Sequence, residues 1–544
     1  MNKITVVILI GLTVLTAFLH LYKLHDLPPC LNSDEAAFGY NAFSLLKTGR
    51  DEYGTLLPTR LKSFGENKLP LMAYLDIPFV QIFGLNELST RMPVILIGIL
   101  SPLLLYLLAK EVTDDDKSVL ATASLAVLSP WIQTISRHAH EVVLAYFFIT
   151  FSLIFLLKFV KKQKILYFLL FSVFNGLALF SQHIAKLFTV FFLGYIIVLF
   201  VGKKIKTSFI KALILFMIFI IPVGFFAVTE IAHPTNRIAT LFYLDNKGFS
   251  HNLFQLLEEQ NKRLIYNKAT QSVLYLTNQY LTYFSPLFLS VHGDSDPRFG
   301  LEGISPISVV EYLFIFIGLY YLFRNKSKHR YLLLALLFFS PLTAVTTWLE
   351  PSLTRSFYLI VPVLIIAGYG VSSLFADLRT KKFGLLGIGF IVFAYFFYSF
   401  YSWNFYFSHY PKRPLVIHAW QCGYKEIVSY VSKNYNKFDT FYITDKHGPP
   451  YIYLLFYLTY PPASYQKQAN LVDIDEMGFG TVKSFDKFVL SFRSPVGTPK
   501  KTAIIGYSDD FSSLEDFSSD RAKTENIKIN VGGEEIFQIY ENPR

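Results

Sequence analysis

The sequence predicts a mainly α protein: a polytopic transmembrane bundle of about 11 spans with its N-terminus inside, followed by a C-terminal extracytoplasmic α/β domain. Three observations carry that expectation. Of 544 residues, 53% are hydrophobic and 16% are charged, against roughly 25% charge in soluble domains. The apolar residues fall in long runs, such as 4–19, 165–180 and 383–401; uncharged runs of about 18 residues read as membrane-spanning helices. The basic residues cluster in short loops between these runs, at 161–164, 203–206, 324–330 and 379–382, which marks the cytoplasmic side. Topology thereby accounts for the net charge of +11, and no nucleic-acid partner is expected.

Taken in order, span one covers 4–22, with Lys3 anchoring it inside. No small-x-small cleavage site follows it, so it is expected to stay as an anchor. A polar external loop, 25–91, carries short amphipathic pieces at 34–47 and 69–83. Span two (93–110) returns to a cytoplasmic turn, span three (118–135) leads out to the loop 136–141, and span four (142–160) comes back. Spans five (165–182) and six (187–202) meet outside at 183–186, and span seven (207–228) leads to a second external segment, 229–306. Spans eight to eleven (307–323, 331–348, 357–376 and 384–402) complete a membrane module over 1–403. Within span eleven, Gly384, Gly387 and Gly389 read as helix packing rather than a nucleotide loop. Beyond 404 the composition changes: 424–434 is helix-like, and 440–444, 502–507 and 535–540 are strand candidates. A segment of that length, 404–544, supports its own core. Both cysteines, Cys30 and Cys422, fall outside, where a disulfide is permitted; their pairing is left open.

Chemistry-bearing residues gather on the outer face. Asn32-Ser33-Asp34-Glu35 reads as a capped helix start with acids favouring the dipole. Adjacent helical residues point about 100° apart, so one acid faces a substrate, and Asp34 is chosen. Lys68, near Glu66, is a headgroup anchor or a point charge for a lipid phosphate. Arg137 and Glu141 lie one turn apart and pair in the weaker order. Residues 292–298 read as a turn. Arg355, beside Glu350, caps a span or neutralises a phosphate, and His183 sits in the external turn at 183–186. Mid-span charges are nearly absent, which counts against the alternative class, a transporter or flippase of lipid-linked sugars.

Asp34-Glu35, Gly39-Tyr40-Asn41-Ala42, Glu66, Lys68-Leu69-Pro70-Leu71, Arg91-Met92-Pro93, Ser129-Pro130 and the stretch from Arg137 to Glu141 resemble the GT-C-fold membrane glycosyltransferases. The nearest families are the protein O-mannosyltransferases and the aminoarabinose transferases that modify lipid A (glycosyltransferase family 39-like). The resemblance covers residues up to about 200 and later spans through topology alone. It implies a cell-membrane hexosyl- or pentosyltransferase with its active site on the extracytoplasmic face. The donor would be a polyprenyl-phosphate sugar and the acceptor a protein hydroxyl, lipid or glycan outside. By resemblance Asp34, with Glu35 beside it, is the catalytic acid of the first loop, and Glu141 is the second acidic position. Lys68 meets the carrier phosphate, and Glu66, Arg137, His183 and Arg355 are further substrate-binding candidates. Asn67 departs from the family pattern by separating Glu66 from Lys68. Relatives differ in metal use, so a divalent ion, held by Asp34 and Glu141, stays open. The physical argument runs parallel: outside the membrane an activated sugar must arrive on a lipid, and a carboxylate can take the acceptor proton at an oxocarbenium-like transition state.

Overall fold

A computed structural model describes residues 3–205, 208–233, 242–245, 247–259, 262–300, 305–347, 351–472, 482–495, 498–512 and 527–542. The chain opens with α1 (Lys3–Leu21) and α2 (Ser33–Thr48). A hairpin, β1 (Leu61–Ser63) and β2 (Glu66–Lys68), leads to α3 (Leu71–Phe83) and α4 (Glu87–Val112). Next come α5 (Asp116–Leu128), α6 (Pro130–Ile135) and α7 (Glu141–Lys162). Two compact units form. One gathers Met1–Tyr22, Val94–Pro234 and Ile238–Tyr406; the other joins Lys23–Pro93 to Phe407–Arg544. The segment 23–93, expected as the first external loop, thus shares a unit with the C-terminal tail.

The first unit holds the membrane helices. Among the described residues seven helices are long and apolar enough to cross a membrane, α1, α4 and α7 among them. The chain is a multi-pass membrane protein. The expected spans three, five, eight and nine fall on shorter helices. Ile165–Leu179, for example, has 15 residues and is about 22 Å long at 1.5 Å per residue, short of a hydrocarbon core of about 30 Å. Span three is divided because Pro130 forces the preceding Ser129 into an extended conformation (φ −67°, ψ 115°), ending α5 and starting α6. Helix Val309–Arg324 crosses Ile360–Arg379 at glycines. A Cβ on Gly318 would lie 2.0 Å from the Ile366 carbonyl oxygen, and one on Gly370 would lie 2.6 Å from that of Phe314. Of Gly384, Gly387 and Gly389, only Gly384 is closely packed: a Cβ there would lie 1.6 Å from the Leu378 carbonyl oxygen, whereas Gly389 faces open space and a Cβ on Gly387 would meet only the tip of Leu378.

The second unit contains a seven-stranded mixed sheet built from β3 (Thr440–Ile443), β4 (Asn470–Leu471), β5 (Val482–Phe485), β6 (Phe488–Val489), β7 (Thr502–Tyr507), β8 (Ile527–Val531) and β9 (Glu534–Asn542). Its order is β4-β5-β6-β3-β7-β9-β8. The parallel pairs β3–β6 and β3–β7 place β3 centrally, and β7–β9 and β8–β9 close one edge antiparallel. Phe441, Ile443 and Ala503 to Ile505 are buried, as central strands require. The helix Tyr424–Asn434 lies where its apolar periodicity placed it.

Candidate active site

The second unit builds its site from the start of α2. Asn32 is the N-cap: its side chain accepts from Asp34 N (3.0 Å), and Glu35 Oε2 accepts from Asn32 N (3.1 Å), a reciprocal capping box. Gln421 Oε1 accepts from Ser33 N (3.1 Å), Asn32 Nδ2 (3.4 Å) and Tyr453 OH (2.8 Å), which pins the helix start. Beside Gln421, Cys422 is disulfide-bonded to Cys30, which answers the pairing left open by the sequence.

The two adjacent acids then part. Glu35 turns inward and meets Arg91 in a two-pronged pair, Nε–Oε1 and Nη2–Oε2 both 2.9 Å. The two side chains are 2% and 1% exposed. Arg91 Nη2 also donates to the Cys30 carbonyl (2.6 Å). Planar guanidinium and carboxylate match in this geometry, and a buried pair needs such further bonds. The Glu35 carboxylate is thus committed to Arg91 and the cap. Asp34, one position earlier, remains half exposed and is paired with Lys68 Nζ. Sequence spacing separates these two roles; the identity of Arg91 as the partner comes only from tertiary contact.

Lys68 reaches Asp34 from the hairpin. The turn residues Phe64 and Gly65 have φ of +52° and +79°, as a two-residue turn between twisted strands demands. Glycine accepts that conformation freely, whereas Phe64 carries strain of about 1–3 kcal/mol, a feature common at functional sites. Its ring is held against Tyr451 (5.8 Å between centroids), and Lys68 Nζ lies 4.5 Å from the Phe64 centroid and 5.5 Å from that of Phe38. Two aromatic faces thus grip the cation. Strand alternation puts Glu66 on the same face as Lys68, with Asn67 on the other.

Behind the hairpin, Glu52 is fully buried. Its carboxyl accepts from Asn41 Nδ2 (3.3 Å) and Tyr451 OH (3.1 Å), and burial pushes it up to about 8. Asp76 on α3 is also fully buried, with neither carboxyl oxygen hydrogen-bonded among the described residues, and burial, then Glu35, raises it far above the usual carboxylate range. Neither acid carries a local signal in the sequence, because burial across 23–93 and the tail sets their state.

The first unit holds the remaining candidates. Arg137 is 1% exposed and donates through Nη1 to the carbonyls of Leu19 (2.5 Å) and His20 (2.8 Å), and through Nη2 to that of Tyr22 (2.9 Å). It closes the C-terminus of α1, whose last carbonyls need donors. His20 bridges the same corner through Ser136 Oγ (2.8 Å). Glu141 begins α7, half-buried, with Oε2 3.7 Å from His140 Nδ1. That nitrogen also accepts from Val142 N (3.2 Å). His138 and His140 both pack on Phe299. His183 sits half-buried before Ile184–Val201. The segment 292–298 is a chain of Asp-backed turns, Asp294 Oδ1 accepting from Asp296 N and Asp296 Oδ1 from Arg298 N. Asp294 Oδ2 also accepts from Leu353 N (2.7 Å), joining this segment to 351–355. Arg355 Nη1 donates to Thr347 Oγ1 (2.6 Å); Glu350 lies outside the described residues. Asp34, Glu35, Glu66 and Lys68 therefore belong to one unit, and Arg137, Glu141, His183 and Arg355 to the other. No group of three or more potential metal ligands gathers among the described residues.

The fold is GT-C-like. It resembles ArnT from Cupriavidus metallidurans bound to undecaprenyl phosphate, with TM-score 0.53 at 10% identity over 99% of this chain and 98% of that one. It also resembles the oligosaccharyltransferase AglB from Archaeoglobus fulgidus in complex with an inhibitory peptide and a dolichol-phosphate, with TM-score 0.51 at 12% identity over 84% of this chain and 63% of that one. Residues 67–226 match the family model described as dolichyl-phosphate-mannose-protein mannosyltransferase, in keeping with the likeness expected from the N-terminal motifs. An uncharacterized protein of Aquifex aeolicus (strain VF5) is 28% identical over 149 residues, which are 27% of this chain and 29% of that protein.

Proposed function

We propose that this chain is a membrane glycosyltransferase that moves a sugar from a polyprenyl-phosphate carrier to an acceptor on the extracytoplasmic face. The observation that carries the reading is the pair Asp34–Lys68: a half-exposed carboxylate held by a cation that is itself gripped by aromatic rings. Such a pair can exchange partners. The carrier's phosphate takes Lys68, and the displaced Asp34 carboxylate becomes free to act as general base. The acceptor oxygen then bonds to the anomeric carbon as the carbon–oxygen bond to phosphate breaks. The acceptor proton passes to Asp34, and Lys68 neutralises the departing polyprenyl phosphate. Glu141 and Arg355, with Glu66 and His183, are assigned to donor or acceptor positioning, whereas Arg137, expected as a further substrate contact, is assigned to holding the end of α1. A divalent ion at Asp34 or Glu141 is the competing way to neutralise the phosphate, and chelation with EDTA distinguishes the two: the Lys68 route keeps its rate.

The test is release of free polyprenyl phosphate by purified protein in lipid, offered a panel of polyprenyl-phosphate sugars with and without hydroxyl acceptors. Turnover of one donor, lost in Asp34→Asn and with a raised donor KM in Lys68→Ala, supports the assignment. Turnover that Asp34→Asn leaves intact removes Asp34 as the base. Movement of an intact sugar-lipid across the bilayer without bond cleavage would favour a flippase.

A further inference from the structure

The first unit carries a second feature that shares no residue with the candidate site. A cavity of about 460 Å³ opens between α5, Val309–Arg324, Ile360–Arg379 and Gly384–Ser408. Its walls are apolar, with Leu120, Leu128, Phe314, Phe375, Ile391 and Phe396 among them. Its two ends differ in charge. At one end stand Lys117 and Arg379, both exposed. They belong to the same end of the bundle, because Asp115 at the start of α5 accepts from Ser372 Oγ (2.5 Å) on the helix that ends with Arg379. At the other end, Glu311 closes the cavity, its carboxylate bonded to Ser308 N (2.6 Å) and Tyr395 OH (3.0 Å).

Neighbouring carboxylates do not use up the two cations. Asp115 accepts from the amides of Lys117 and Ser118 and from Ser372, and Asp377 accepts from Tyr321 OH with Arg324 3.7 Å away. Among the described residues Lys117 Nζ and the Arg379 guanidinium make no side-chain hydrogen bond or ion pair. Depth supplies a third constraint. From Lys117 to Leu128 the wall rises about 16 Å along α5, roughly half of a hydrocarbon core, which is one leaflet. Arg379 opens a basic loop, 379–382, of the kind retained on the cytoplasmic side, where the membrane surface is negatively charged, and Lys117 ends the mixed-charge turn 111–117 at the same end of the bundle.

We propose that this groove holds an acyl chain of an anionic phospholipid from the cytoplasmic leaflet, its phosphate seated on Lys117 and Arg379. The occupant is a single-leaflet lipid, since the far end offers the carboxylate of Glu311 rather than a cation. Full-length protein in mild detergent, titrated with phosphatidylglycerol, phosphatidylcholine and undecaprenyl phosphate, tests it, with bound lipid counted by native mass spectrometry. Phosphatidylglycerol should be retained roughly tenfold more tightly than phosphatidylcholine. The exposed-site double variant Lys117→Gln/Arg379→Gln should lower it to the phosphatidylcholine level while staying monodisperse. Ser124→Trp, which fills the groove, should remove both lipids. Equal retention of the two phospholipids, or a double variant that binds like wild type, overturns the proposal. So does preferential retention of undecaprenyl phosphate that the double variant loses, which would give the groove to the carrier instead.

Discussion

The hairpin corner at 61–68 and the turn at 136–141 carry the same kinds of residue between helices, yet the chain uses them differently. In the turn, Arg137 is buried and spends its donors on the last carbonyls of α1. At the hairpin, Lys68 is held between aromatic faces and meets a carboxylate that stays half exposed. The difference lies in what the cation finds: a helix end consumes a guanidinium, whereas an exchangeable carboxylate leaves an ammonium available to another anion. Asp34 and Glu35 repeat the contrast one residue apart, the first accessible and the second sealed against Arg91.

The comparison breaks first at Asp34. Asp34→Asn should lower kcat by roughly 10²–10⁴-fold in the polyprenyl-phosphate release assay, with an unchanged melting temperature. A comparable loss of stability would move Asp34 to the structural side. Arg91→Ala should do the reverse, costing about 3–5 kcal/mol by stranding Glu35 as an unpaired buried charge, read as a large drop in thermal stability in detergent. Arg137→Ala should cost about 1.5–3 kcal/mol through the lost charge-assisted bonds to the α1 carbonyls; unchanged stability with lost donor binding would make Arg137 a substrate contact instead.

A pH-dependent effect concerns Glu52. Folded, its carboxyl keeps its proton up to about 8; unfolded, it ionises near the ordinary glutamate value of about 4.3. Between those values the unfolded chain binds fewer protons, so this group makes stability fall as pH rises, by up to about 1.4 kcal/mol per unit. Glu52→Gln should flatten the melting-temperature slope between pH 5 and about 8. An unaltered slope would mean that Glu52 is ionised in the folded protein.

Much of the architecture was legible because it follows from local rules. Apolar runs mark helices that bury themselves in lipid, and the strand candidates at 502–507 and 535–540 correspond to β7 and β9. The start of α2 was legible too, since Asn32 caps it through neighbours two and three residues away. Helix lengths were less so. A proline at 130 divides one expected span, and hydropathy windows do not see where a helix stops. The partners of Arg137 and Glu35 lie 118 and 56 residues away in the chain, beyond any spacing argument.

The sequence by itself determined a multi-pass membrane chain with a strand-bearing tail and an acidic helix start after the first span, because hydrophobic partition and helix capping act over a few residues or a single run. Only the tertiary structure decided that Asp34 meets Lys68 while Glu35 meets Arg91, that Arg137 closes α1, and that Cys30 joins Cys422 across 392 residues. Those pairings depend on which side chains burial brings together and which charges it leaves in need of a partner, and that is settled only when distant segments pack.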